Sequence, residues 1–186
     1  MFGQSRPFDY LKQDLRDYLS RARKHRDEKG FQRSLEEHLR GMEYVQRVNP
    51  KFTPPRKDIP RGYNYRSELD LEVVTPDGCM NAALELKHDF GGAGELDRLE
   101  RQLRDYSQVW SHIAVCAQGI DNYEHWGRIK SQFEKNGGAF GNGQEIVFIS
   151  GGRDSARNSR QGRRESRQNQ SSMNPFDNLS NPFDRF

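Results

Sequence analysis

Between Glu68 and Lys87 the chain carries carboxylates and a lysine at spacings that two paired strands can bring to one place. The runs Ser67 to Val74 and Cys79 to Lys87 flank Pro76-Asp77-Gly78, which has the composition of a tight turn. Side chains alternate along a strand. Glu68, Asp70, Glu72 and Val74 therefore leave from one face, and Leu69, Leu71 and Val73 from the other. In the second run Ala83, Glu85 and Lys87 share a face opposite Ala82, Leu84 and Leu86. If the two acidic faces coincide, Asp70 and Glu85 stand side by side. Two carboxylates in a partly buried place repel and call for a counter-charge. A hard divalent cation with oxygen ligands supplies it, magnesium first and manganese as a substitute. Lys87 leaves from the same face as Glu85 and so stands beside such a metal. A metal that polarises a phosphate oxygen, next to a lysine that steadies water or developing charge, suits hydrolysis of a phosphodiester. The bland alternative is an exposed charged hairpin, and a chain that is 31% charged makes it a serious competitor. The apolar setting Ala-Ala-Leu-Glu-Leu-Lys weighs against it, because a buried strand tolerates charge poorly.

The neighbouring elements must position these groups. Residues 8–26 have Leu11, Leu15, Tyr18, Leu19 and Ala22 at helical spacing, ending in the basic run Arg-Ala-Arg-Lys-His-Arg. Gly30 is expected to break that helix. A second helix is then expected over 31–42, with Phe31, Leu35, Leu39 and Met42 on one stripe and Glu36 and Glu37 beside it. Residues 43–48 can form a first strand. The four prolines of the segment from Asn49 to Arg66 predict a loop that mixes Lys51, Arg56, Lys57, Arg61 and Arg66 with Phe52, Tyr63 and Tyr65. It leads straight into the strand bearing Asp70. Its cations can hold a nucleic-acid backbone while its tyrosines stack on bases, with Arg98 and Arg104 extending that surface. A solvated loop is the plain alternative. After Gly-Gly-Ala-Gly at 91–94, a helix over 95–110 buries Leu96, Leu99, Leu103, Tyr106 and Trp110 and carries Gln102 next to that stripe. A buried-type strand at 112–119, a helix from Asp121 and a last strand at 145–150 complete an α-β-β-β-α-β-α-β core, a mixed α/β sandwich.

Hydrophobic residues make up 32% of 186, and nearly all the periodic apolar runs fall between residues 31 and 150. The expected organisation is an N-terminal amphipathic helix over 1–30, one domain over 31–150 and a disordered tail over 151–186. The tail repeats Asn-Pro-Phe-Asp at 174–177 and 181–184, which reads either as chance or as a docking motif for a protein partner. A net charge of +3 permits an anionic partner without requiring one. Cys79 and Cys116 are too few for a disulfide framework, and zinc or thiol chemistry is a poor fit to isolated cysteines. No apolar run approaches about 18 residues, so no membrane role and a cytoplasmic location are expected. The glycine-rich stretches match no phosphate-loop pattern.

Asp70 in Glu-Leu-Asp-Leu-Glu-Val, Glu85 and Lys87 in Ala-Leu-Glu-Leu-Lys, and Gln102 and Tyr106 in Arg-Gln-Leu-Arg-Asp-Tyr resemble the motifs of the PD-(D/E)xK nuclease superfamily over residues 31–150. The last pair is similar to the Gln-x-x-x-Tyr motif of its RecB-like branch. Leu69 stands where the superfamily name has proline. The resemblance implies a restriction-endonuclease-like fold and a magnesium-dependent nuclease. Asp70 and Glu85 would be metal ligands with the Leu86 carbonyl, Lys87 the catalytic lysine, and Gln102 a catalytic-site group that supports the site or contacts the substrate. Tyr106 would support the site or touch substrate, and Glu36 or Glu37 would supply the first-helix glutamate. The implied activity is a DNA endonuclease of repair, recombination or restriction, with RNA and a homodimer left open. The competing reading is a protein that binds nucleic acid, or assembles with a partner through its tail, without cutting.

Overall fold

The computed structural model describes residues 7–76, 78, 80–134 and 144–151. Asp77 and Cys79 in the expected hairpin turn, the glycine-rich stretch at 137–143, and the tail after Gly151 with both Asn-Pro-Phe-Asp repeats lie outside them.

The chain runs α1 (Pro7–Arg21), α2 (Glu28–Arg40), β1 (Arg47–Phe52), a single 3-10 turn (Arg56–Asp58), β2 (Leu69–Val74), β3 (Asn81–Phe90), α3 (Ala93–Tyr106), β4 (His112–Ile120), α4 (Tyr123–Glu134) and β5 (Glu145–Gly151). The strands form one five-stranded sheet in the order β1-β2-β3-β4-β5. β1, β2 and β3 are antiparallel neighbours, whereas β3, β4 and β5 run parallel. Parallel neighbours need a crossover, and α3 and α4 are those crossovers. The protein is thus an α/β sandwich with helices on both faces.

Each face follows from the periodicity of its helices. Leu11, Leu15 and Leu19 of α1 and Phe31, Leu35 and Leu39 of α2 pack on Leu71, Val73, Ala82, Leu84, Leu86, Ala114 and Cys116. On the other face Leu96, Leu99, Leu103 and Tyr106 of α3, with Ile129 and Phe133 of α4, cover Ala83, Val115, Ala117 and Phe148. β3 is therefore buried on both sides from Ala82 to Lys87, which is why it reads as a nearly continuous apolar run interrupted by only two charges. The helix before residue 31 belongs to the same core as the elements after it.

Several local expectations are corrected. β1 runs through Pro50, which faces Leu71 in register. A proline is tolerated there because β1 is an edge strand, where one side of the backbone makes no ladder bonds. α1 ends at Arg21, so all of the basic run after Arg21 lies beyond the helix rather than on it. Gly30 does not break a helix. Asp27 caps α2 and its carboxylate accepts the Gly30 N–H at 2.7 Å, so Gly30 sits in the first turn and the helix starts at Glu28. At α4 it is Asn122, not Asp121, whose side chain accepts the Glu124 and His125 N–H groups. Leu69 packs with the α3 face, whereas Leu71 and Val73 pack with α1 and α2.

Replacing Asp27 with alanine leaves the first-turn N–H groups of α2 without that acceptor. The expected loss is about 1 kcal/mol of stability, read as a lower urea midpoint with an unchanged slope.

Candidate active site

The departure of Leu69 from strand alternation marks where the site forms. The β2–β3 ladder runs from Val74–Asn81 to Leu71–Leu84 and stops there. One further step would set Asp70 opposite Glu85. Instead β2 stays paired with β1 as far as Leu69 and leaves β3. The Asp70 side chain takes over the missing bond, with Oδ2 accepting the Leu86 N–H at 2.7 Å. The freed Asp70 carbonyl accepts from Gln32 Nε2 of α2 at 2.8 Å. In a strand a residue's carbonyl leaves on the same side as its N–H, so the Leu86 carbonyl also faces the opened fork.

Glu85 and Lys87 project from β3 toward α3, and both are buried, at 1% and 8% exposure. Lys87 Nζ donates to Glu85 Oε1 at 2.5 Å. The Tyr106 hydroxyl lies 2.6 Å from Glu85 Oε2 and 2.9 Å from the Glu68 carbonyl. Gln102 Nε2 donates to the Tyr106 hydroxyl at 3.3 Å, and Gln102 Oε1 accepts from Lys87 at 3.5 Å. The four side chains close into a ring. A buried ion pair is costly unless its remaining donors and acceptors are satisfied, and the ring satisfies them. Burial and then the Glu85 charge push the Tyr106 phenol far up, so it remains a protonated donor. Asp70 is raised from 3.8 to about 7, by desolvation first and by Glu85 next, against the lowering effects of the Leu86 N–H and of Lys87. The repulsion expected between the two carboxylates is therefore present.

Asp70, Glu85, Lys87 and Gln102, but not Tyr106, line a cleft of about 500 Å³. Its walls bring these four together with Arg66 and Arg98, and add Glu28 and Arg101, among others. Glu36 does not reach it. It forms an ion pair with Arg40 at 2.6 Å, two helical turns (about 12 Å) along α2 from Glu28. Glu37 is exposed and lies outside the cleft lining. The glutamate of the first core helix that faces the site is Glu28, whose charge also raises Asp70. Because α2 starts before Gly30, Gln32 and Glu28 continue the stripe of Glu36 one and two turns earlier. Tyr106 is fully buried and cannot stack on a base, so its contact is with Glu85 rather than with substrate. Arg56, Arg61 and Tyr63 line a separate groove, and Lys57 is exposed on the 3-10 turn. Arg104 is paired with Glu100 at 2.7 Å, outside the cleft.

Among the described residues, no three His, Cys, Asp or Glu side chains stand close enough together to cage a metal. The donor set nevertheless fits magnesium. That ion keeps several waters and commonly takes only one or two protein carboxylates. Asp70 Oδ1, Glu85 and the Leu86 carbonyl are hard oxygen donors at the fork, and the mutual repulsion of the carboxylates favours a cation. Cys116 is buried and its thiol is pushed up to about 12, which leaves it protonated in the core. No described helix is long and apolar enough to cross a membrane.

Fold and site together define an α/β protein with a mixed five-stranded sheet, whose acidic cleft opens where β2 leaves β3. The chain matches no family model, no curated protein and no solved structure.

The raised Asp70 pKa makes the metal-free protein sensitive to pH. The folded state holds this proton more tightly than the unfolded chain does. The resulting stabilisation is complete below about pH 4 and is lost as pH rises toward and through about 7. In chelator, wild type should lose on the order of 1–3 kcal/mol across that interval. Asp70→Asn should flatten the dependence and be the more stable protein at pH 8, as measured by urea unfolding at each pH.

Proposed function

We propose that this chain is a metal-dependent nuclease of the PD-(D/E)xK kind, with a restriction-endonuclease-like core, acting on DNA as an endonuclease. The observation that carries this reading is the convergence of Asp70, Glu85 and Lys87 on one cleft. Asp70, Glu85 and the Leu86 carbonyl would hold magnesium, or manganese in its place. When bound, such an ion supplies Lewis-acid polarisation of a phosphate oxygen and an activated water. Lys87 holds a positive charge against the cleft wall, 2.5 Å from Glu85 and in reach of Gln102. That charge stabilises the extra negative charge of a phosphate under attack. Tyr106 fixes Glu85 from behind, and Gln102 fixes both Tyr106 and Lys87. Arg66, Arg98 and Arg101 on the rim attract and seat the phosphates. Repair, recombination and restriction are the settings that fit this chemistry.

The test is purified protein with labelled single-stranded, duplex and branched DNA and with RNA, in magnesium, manganese or chelator. Cutting should require the divalent ion. Asp70→Ala, Glu85→Ala and Lys87→Ala should each lower kcat by at least about a hundredfold. Tyr106→Phe should cost less, about tenfold, because it removes the positioning of Glu85 and leaves the carboxylate. Retention of every substrate with no cutting in any metal would replace this reading with a binding protein that does not cleave.

A further inference from the structure

Asp105 of α3 is a buried carboxylate, 6% exposed, that the ring of Glu85, Lys87, Gln102 and Tyr106 does not use. Its side chain accepts three hydrogen bonds from residues 63–67, which lead into β2. Oδ1 accepts from the Tyr63 hydroxyl at 2.8 Å. Oδ2 accepts from the Ser67 hydroxyl at 2.6 Å and from the Arg66 backbone N–H at 3.3 Å. A carboxylate withdrawn from water is costly unless it is fully bonded, so these contacts hold the segment in one place. Arg66 is held a second time through its side chain. With the Asn64 amide oxygen turned toward it, as the hydrogen-bond pattern requires, Asn64 accepts from Arg66 Nε at 3.1 Å and Nη2 at 2.8 Å. The guanidinium so fixed is exposed and lines the cleft. The same segment also forms a groove of about 410 Å³ lined by Arg56, Arg61, Tyr63 and Asn64, among others. Arg56 and Arg61 are exposed and take part in no ion pair among the described residues. Tyr63 and Asn64 belong both to this groove and to the anchoring of the segment.

We infer that residues 56–66 form an accessory phosphate subsite, aligned with the cleft by Asp105 and Asn64. It receives a polynucleotide strand whose neighbouring phosphates lie on Arg66 and then on Arg56 and Arg61. Asp105 and Asn64 are positioning residues in this arrangement. Asp105 sits one residue before Tyr106 and three after Gln102 on the same helix, so one rigid element sets both the ring and the subsite. The substrate is then an extended strand gripped away from the scissile bond rather than a small phosphodiester. This inference rests on the nuclease reading for what happens in the cleft, but not for the grip itself.

Two measurements on the full-length chain separate the two ideas. One is anisotropy of a fluorescein-labelled single-stranded DNA of about 20 nucleotides, titrated in chelator across a salt series. The other is kcat and KM for the same strand in magnesium. Arg56→Ala with Arg61→Ala should reduce the slope of log affinity against log salt by about 0.7 per arginine. Asn64→Ala and Asp105→Asn should each weaken binding by about three- to tenfold and act on KM more than on kcat. Arg66→Ala should add little in the Asn64→Ala background. Lys130→Ala, on α4, should leave the slope as in wild type. Asn64 is exposed, so its variant tests the proposal even if Asp105→Asn unfolds. An unchanged salt slope in the folded double arginine variant, or additive Asn64 and Arg66 losses, overturns the subsite. A reduced slope in a protein that never cuts upholds the subsite and overturns the nuclease reading alone.

Discussion

The structure turns on one electrostatic problem, which is how to keep Glu85 and Lys87 charged inside a sheet covered on both faces. Both groups are largely withdrawn from water. The solution is mutual pairing completed by Tyr106 and Gln102, so that every charged atom of the pair has a partner. This requirement fixes the pitch of α3 against β3, because Gln102 and Tyr106 must sit one turn apart and face the same strand. It accounts for a fully buried tyrosine, and for a buried glutamine beside the leucines of α3.

A second constraint operates where β2 leaves β3. An unpaired backbone N–H in the middle of a sheet is expensive, and Leu86 would have one if the ladder simply ended. Asp70 supplies the acceptor from its side chain, so the fork is stabilised by the same carboxylate that gives it chemical potential. The cost appears in Asp70 itself, which burial first and Glu85 next cause to hold its proton more tightly than usual. The anchoring of residues 63–67 by Asp105 extends the logic outward, since one helix orders the interior ring and the exposed cations together.

Much of this was legible in the chain. Strand alternation placed Glu85 and Lys87 on one face and Leu84 and Leu86 on the other, because a strand buried on both sides must obey its two-residue period. Helical spacing identified the stripe Leu96, Leu99, Leu103, Tyr106 for the same kind of reason. Errors fell where a local rule was overridden by a neighbour. Gly30 reads as a helix breaker, but a capping aspartate three residues earlier makes its N–H useful in a first turn. Pro50 reads as a loop residue, but the edge of a sheet has room for it.

Apart from Leu69, the sequence by itself determined which face of the sheet the residues of β2 and β3 take and which stripe of α3 is buried, since periodicity is a property of local backbone geometry. It also brought Asp70, Glu85, Lys87 and Gln102 forward as a group. Only the tertiary structure decided that Glu28 rather than Glu36 meets the cleft, that Tyr106 lies behind the site instead of on its surface, and that Asp105 ties the basic segment down. Those facts depend on where one element starts relative to another and on how β2 parts from β3. Distances between elements far apart in the chain are set by packing, and no local period encodes them.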